Sequence, residues 1–348
     1  MVHTRSQTKK MLHASISRFN DDLFTEILLR LPAASILRFK SVSKHWRLLL
    51  SQKHFTQRFD KISKSPRGLI ATDMYVPFDV ENPSTPPLRC LDSYFDRPGV
   101  EILQSCNGLL LCVTWPIGCN GASKYYVFNP TTKQLALIPP VPRDRSAICF
   151  MSLAFHQTDC VRYKVICVLS VGPDVDSYQI QVYSSDTKEW KISMESFATK
   201  LFVNYWYFKI DDQQLHTLPL PLGLIPSDSE VVRKYLGESR GHLHLIAYNK
   251  FQGGMVRVNV YEMLSDHSGW FVKYQLQLDA ITRYGPGYVL QVVDVVRGKE
   301  EEDTFVVLET LDKIITYNVH DRSFKQICRL TKYCSSSFYR YTETLSSF

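Results

Sequence analysis

The sequence predicts a small all-α module followed by an all-β domain, with an irregular β-propeller as the architecture of the second part. Three observations lead there. Apolar residues recur at helical spacing between residues 18 and 60. From about residue 66, short β-rich runs alternate with Gly, Pro, Asn and Asp. A strand–turn–strand unit then recurs at a spacing near 50 residues, the size of a four-stranded propeller blade. A simple antiparallel sandwich is the alternative for the β part.

Residues 1–17 read as a flexible basic tail and 18–60 as the helical domain. Asn20 or Asp21 can cap a first helix whose apolar stripe is Leu23, Phe24, Ile27, Leu28 and Leu31. Pro32 ends it, having no N–H to continue the ladder. Ile36, Leu37 and Phe39 form a second short apolar face. Val42, Trp46, Leu49 and Leu50 form a third, and Phe55 and Phe59 follow. Arg38, Lys40, Lys44 and Arg47 take the outer positions. A three-helix unit of about 40 residues is small for an independent core, so burial against a neighbour or partner is expected.

Residues 61–100 read as a linker and first strands, with a proline-rich connection over 76–91. Residues 101–335 form the β domain, and 336–348 read as a C-terminal tail. Clear strand candidates are Leu109–Thr114, Tyr125–Asn129, Val161–Leu169, Tyr178–Tyr183, His242–Tyr248, Val256–Tyr261, Thr304–Leu308 and Ile314–Tyr317. The repeat unit starts at Tyr125, Tyr178, Trp206, Val258 and Ile314, in steps of 53, 28, 52 and 56 residues. The step of 28 is about half a period, which places a compression near residues 193–206.

The net charge of +7 is unevenly spread. Residues 1–67 hold 14 Lys or Arg against 4 Asp or Glu, whereas the remainder holds 27 against 30. A basic head on a nearly neutral body lacks the broad basic face of a DNA-wrapping protein, so nucleic acid is not the expected partner. Nine cysteines at loose spacings, with no CxxC, support neither a zinc site nor a redox motif. Without an apolar run of membrane length, no span is expected. The polar start, Met1–Lys10, does not read as a secretory leader. A reducing compartment follows, nucleus, cytoplasm or both. His156, Asp159 and Cys160 lie together near a turn but read as loop polarity. His242 and His244 share a strand face without an evident third ligand. Aromatics at repeat positions read as support between blades rather than as a ligand groove.

Asp22-Leu-Phe-Thr-Glu-Ile-Leu-Leu-Arg-Leu-Pro32, Ser35-Ile-Leu-Arg-Phe-Lys-Ser-Val-Ser-Lys-His-Trp46 and Leu48-Leu-Leu-Ser51 together resemble the F-box motif without gaps. Ser105-Cys-Asn-Gly-Leu-Leu-Leu-Cys112 and Tyr126-Val-Phe-Asn-Pro-Thr-Thr-Lys133 are similar to the start of the plant F-box-associated domain. Leu153-Ala-Phe-His156, Tyr163-Lys-Val-Ile166, Gln181-Val-Tyr-Ser-Ser185 and Trp190 extend that similarity. The pattern departs at Phe19-Asn20, where many members have Leu-Pro, and at Ser41, where Cys is frequent. Leu201–Ile210 looks like two family strands joined with the intervening hairpin missing.

This resemblance implies a kelch-like propeller and a role as adaptor in an SCF-type ubiquitin ligase. The F-box would bind a Skp1-like subunit, which bridges to cullin and RING subunits, while the β domain selects an unknown protein substrate. The family has no catalytic residue, metal or cofactor in this subunit. Ile27, Leu28, Leu31, Pro32, Leu37, Val42 and Trp46 would supply apolar contact or support at the Skp1 interface. Lys40, Lys44 and Arg47 would sit on its rim. A Skp1-binding scaffold that does not direct degradation is the second reading. An enzyme with a propeller active site is a third, more remote one.

Overall fold

The computed structural model describes residues 22–63, 65–88, 90–96, 98–116, 122–142, 148–155, 162–170, 177–198, 205–209, 214–218, 221, 232–249, 257–278, 291–330 and 337–348. Helical segments come first: α1 (22–28), α2 (Ala33–Phe39), α3 (Lys44–Leu50) and α4 (Lys53–Ile62). The pair Phe55 and Phe59 therefore belongs to a fourth helix rather than trailing the third. Pro32 stands at the N-cap of α2, with ψ at 146°. Its carbonyl accepts from the N–H groups of Ser35 and Ile36 at 2.9 and 3.2 Å. Ser43 caps α3 by accepting from Trp46 N–H at 3.1 Å. The expected caps at Asn20 and Asp21 lie outside the described residues.

Among the described residues, all strand pairs are antiparallel. Four sheets are meanders of four consecutive strands. They are β3 to β6 (Val100–Cys106, Leu109–Thr114, Lys124–Asn129, Gln134–Leu137) and β7 to β10 (Ile148–Ala154, Lys164–Ser170, Ser177–Ser184, Glu189–Ala198). The other two are β13 to β16 (Val232–Ser239, His242–Asn249, Arg257–Met263, Trp270–Gln277) and β17 to β20 (Gln291–Val296, Phe305–Glu309, Lys313–Asn318, Phe324–Arg329). A fifth sheet, in the order β2–β1–β21, joins Tyr75–Pro77 and Gly68–Ile70 from the start of the domain to Tyr339–Tyr341 from its end. The innermost strands β7, β3, β21, β17 and β13 are neighbours in that order. This is a five-bladed β-propeller closed by a sheet that both ends of the domain build.

Blade stacking explains the composition of the strands. β4 is buried at every position because neighbouring blades cover both of its faces. β6, at the rim, is mostly exposed. The apolar clusters accordingly lie between blades: Leu111, Val127, Leu153 and Val165 pack in one, and Val260, Leu276, Val306 and Tyr317 in another.

The sequence repeat corresponds to the two outer strands of each four-stranded blade and the turn between them. Asn129 Oδ1 accepts from Thr131 and Thr132 N–H, and Asn318 Oδ1 accepts likewise from His320 and Asp321. The fifth residue of each turn has a positive φ: Lys133 at 64°, Lys188 at 58° and Arg322 at 61°. Each sends its N–H back four residues, to Asn129, Ser184 and Asn318. One turn design thus recurs in three blades.

The copy at Trp206 is the exception. It forms a hairpin of β11 (Tyr205–Lys209) and β12 (Gln214–Leu218) without further strands among the described residues. In the four meanders, an inner pair of strands precedes each outer pair. Here six residues separate Ala198 from Tyr205, too few for an inner pair. The half-period step therefore reflects the absence of room for an inner pair between β10 and β11.

Residues 337–348, read from sequence as a tail, instead contain the closing strand and a buried segment. Tyr341, Thr344 and Leu345 are all buried. The pattern Tyr339-Arg-Tyr341 is too short to announce a strand, and its partners lie at the other end of the domain.

Candidate partner-binding surface

α1 carries more apolar residues than the helical core takes in. Its inner side places Thr25 and Leu28 against the core, and Leu29 follows at its end. Its outer side leaves Leu23, Phe24 and Ile27 exposed, at 56%, 45% and 51%. Val42 at 66% and Leu48 at 70% add to the exposed apolar surface of the same module. Trp46 links the two sides, half-buried, stacked on Phe39 at 5.4 Å and tilted against Phe24 at 5.8 Å. Exposed apolar residues concentrated on so small a module make it the candidate interaction surface.

The residues singled out in the sequence divide accordingly. Ile27, Pro32 and Val42 are exposed. Leu31, Leu37 and Trp46 are half-buried, packed against the core formed by Leu28, Leu29, Ala33, Ile36, Leu50, Phe55 and Phe59. Leu28, at 2% exposure, supports the surface from beneath. Lys44 and Arg47 are exposed, and Lys40 is partly buried, which lowers its pKa. Leu23 and Phe24 belong to the apolar stripe read from spacing, yet they face outward, as does Leu48, which lies on none of the three apolar faces. The available signal was the excess of apolar positions over what a unit of this size can bury. Arg58 and Arg30 pair with Glu26, tying α1 to α4 and holding its carboxyl below the usual range.

A second feature lies in the propeller, a cavity of about 780 Å³ lined in part by Gln104, Asn107, Tyr235, Asp294 and Arg340. Its polar groups are largely spent on one another. Arg340 Nε donates to Asp294 Oδ2 at 2.7 Å and Nη1 to the Glu238 carbonyl at 2.7 Å. Tyr235 donates to Asp294 Oδ1 at 2.8 Å. Asn107 and Gln104 donate to the carbonyls of Phe155 and Leu153. The charged cluster therefore joins β13, β17 and β21 and acts as a clamp on the closure.

His242 and His244 converge on Glu262, at 2.9 and 3.4 Å, with Arg297 at 3.1 Å from the same carboxylate. Burial pushes the His244 pKa down to about 4, so its contact with Glu262 is not an ion pair near neutrality. Among the described residues, no group of three or more His, Cys, Asp or Glu side chains is arranged to hold a metal. His156, Asp159 and Cys160 lie outside the described residues.

Comparison with known proteins fits this division of the chain. Residues 16–58 match the model of the F-box domain, and residues 73–209 match that of the F-box associated beta propeller domain. The chain is similar to F-box protein At5g07610 of Arabidopsis thaliana, 29% identical over 390 positions, covering 93% of this chain and 90% of that protein. F-box protein At4g19940 of the same plant is 25% identical, over 76% of this chain and 61% of its own length. F-box protein At5g49610, also from Arabidopsis thaliana, is 32% identical over 50% of each. The 390-position alignment exceeds the 348 residues of this chain, so that relative carries segments absent here.

Proposed function

This chain is an F-box protein with an F-box associated propeller domain, and we propose that it serves as the substrate-recognition adaptor of an SCF-type ubiquitin ligase. In this reading the exposed apolar surface of α1 and of the α2–α3 region docks on a Skp1-like subunit. That subunit connects it to cullin and RING subunits, and the propeller holds a protein target. The observation that carries the reading is the set of exposed apolar side chains Leu23, Phe24, Ile27, Val42 and Leu48 on a domain that already has a core. Burying the exposed half of one such side chain is worth roughly 1 kcal/mol, so the contact draws on several of them together. Lys44 and Arg47 are exposed on the same module and would steer it toward an acidic partner.

The chemistry is proximity. Two binding surfaces on one chain raise the local concentration of a target near a conjugating enzyme held by other subunits. Reconstitution tests this. The purified chain, mixed with Skp1-like, cullin and RING subunits, should co-elute as one assembly and support ubiquitination of a protein captured by the propeller. Assembly without ubiquitination of any captured protein would favour a scaffolding role. Failure to assemble would remove the adaptor reading.

A further inference from the structure

Residues 342–348 leave β21 and enter the seam between α4 and the propeller. Leu345, 1% exposed, completes the helical core with Leu28, Leu29, Ile36, Phe55 and Phe59. Asp60 on α4 grips the same segment. Thr344 Oγ1 and Ser346 Oγ donate to Asp60 Oδ2 at 2.9 and 2.8 Å, and Leu345 N–H donates to Oδ1 at 3.0 Å. The opposite side of the segment is held by the propeller. Asn129 Nδ2 donates to the carbonyls of Thr344 and Ser346 at 3.3 and 2.9 Å. Thr344 N–H donates to Thr131 Oγ1 at 3.3 Å, and Phe348 stands edge-on to Tyr163 at 5.2 Å.

Asp60 is costly where it stands. It is 1% exposed and lies in the last turn of α4, where the helix dipole disfavours a negative charge. A buried carboxylate is tolerated only when its oxygens are occupied, and all three donors come from one seven-residue segment. The helix itself has no use for this side chain.

We propose that Asp60 is a positioning residue: by holding residues 344–346 it fixes the partner-binding module on the propeller as one rigid body. Released from that grip, the two domains stay folded and move relative to each other. The adaptor reading gives this rigidity its consequence, because the distance from target to conjugating enzyme is then set by the seam. The rigidity itself is testable without any partner, so its failure and the failure of the adaptor reading are separate results.

The experiment is single-molecule energy transfer on the full chain, with dyes placed through noncanonical residues at exposed Lys53 and Lys299. The wild type should give one narrow distribution. Asp60→Ala should at least double its width while the helical circular dichroism signal stays unchanged. Asp60→Asn should restore the narrow form, since an amide can accept from Leu345 N–H and donate to the hydroxyl oxygens. The Thr344→Val/Ser346→Ala double variant, which leaves Asp60 and Leu345 in place, should broaden the distribution as well. It decides the matter if Asp60→Ala loses helical signal. An unchanged width in the double variant, or in a fully helical Asp60→Ala, would overturn the proposal.

Discussion

Replacing Asp294 with Ala isolates the clamp that closes the propeller. Asp294 is 6% exposed and Arg340 19%, and the two side chains meet through paired contacts, with Nε to Oδ2 at 2.7 Å. Loss of the carboxylate leaves a guanidinium largely out of water and takes the acceptor from Tyr235. Breaking a buried ion pair from one side costs about 3–5 kcal/mol. The residual exposure of Arg340 points to the lower end, about 3 kcal/mol. Unfolding entropy of ~2.1 cal/mol/K per residue over roughly 280 residues gives ~0.6 kcal/mol/K, so the melting temperature should fall by about 5 °C. Differential scanning calorimetry of the full chain reads this directly. The double replacement Asp294→Leu/Arg340→Leu should cost clearly less than the sum of the single ones, because each single change strands a partner. A fall below about 1 °C for Asp294→Ala, or additive single costs, would refute the clamp.

Other expectations concern the seam. Leu345→Ala should destabilise the helical module by about 2–5 kcal/mol, as large-to-small changes in a packed core do, and amide exchange in residues 53–62 should rise accordingly. Gly108→Ala should loosen residues 342–346: the glycine has φ at +91°, and a Cβ there would lie 2.6 Å from the Thr342 carbonyl and 2.7 Å from Thr344 Cγ2. Exchange at Leu345 N–H reports it. Burial raises the Asp60 pKa from 3.8 to about 6, against the pull of its three hydrogen bonds. A carboxyl with a raised folded pKa stabilises fully below its unfolded value and loses that contribution as pH rises through the folded one. At 1.36 kcal/mol per unit the loss is about 3 kcal/mol, so the seam should be tighter at pH 4 than at pH 7. Exchange at Leu345, corrected for intrinsic rate, should show the difference, and Asp60→Asn should abolish it.

The helical periodicity and the repeat were enough to read the two-part architecture, because each depends on local spacing. Trp190 illustrates the local case: its position after a polar turn marks an outer strand, and it packs on Tyr183 while donating to the Pro139 carbonyl. The half-period step at Trp206 likewise had a direct structural counterpart in the β11–β12 hairpin. What the spacing could not separate were the inward and outward sides of α1, since both are apolar. Leu28 and Ile27 are adjacent and chemically alike, yet one is core and the other surface. The seam was hidden for a different reason. Asp60 and Ser346 are 286 residues apart, and nothing in either neighbourhood signals the other. The shortage of core in a 40-residue module was visible as a deficit, and Leu345 is part of what fills it. For the same reason the module cannot be cut away at residue 60 without exposing residues 344–346.

The most direct test of the adaptor account is the affinity of the full chain for a purified Skp1-like subunit, by calorimetry, for wild type and Ile27→Asp. Ile27 is half exposed, so the change should leave the melting temperature unaltered. In a desolvated contact the new carboxylate would be unpaired, and affinity should fall at least 100-fold, about 2.7 kcal/mol. Binding within twofold of wild type would contradict the assignment of this face.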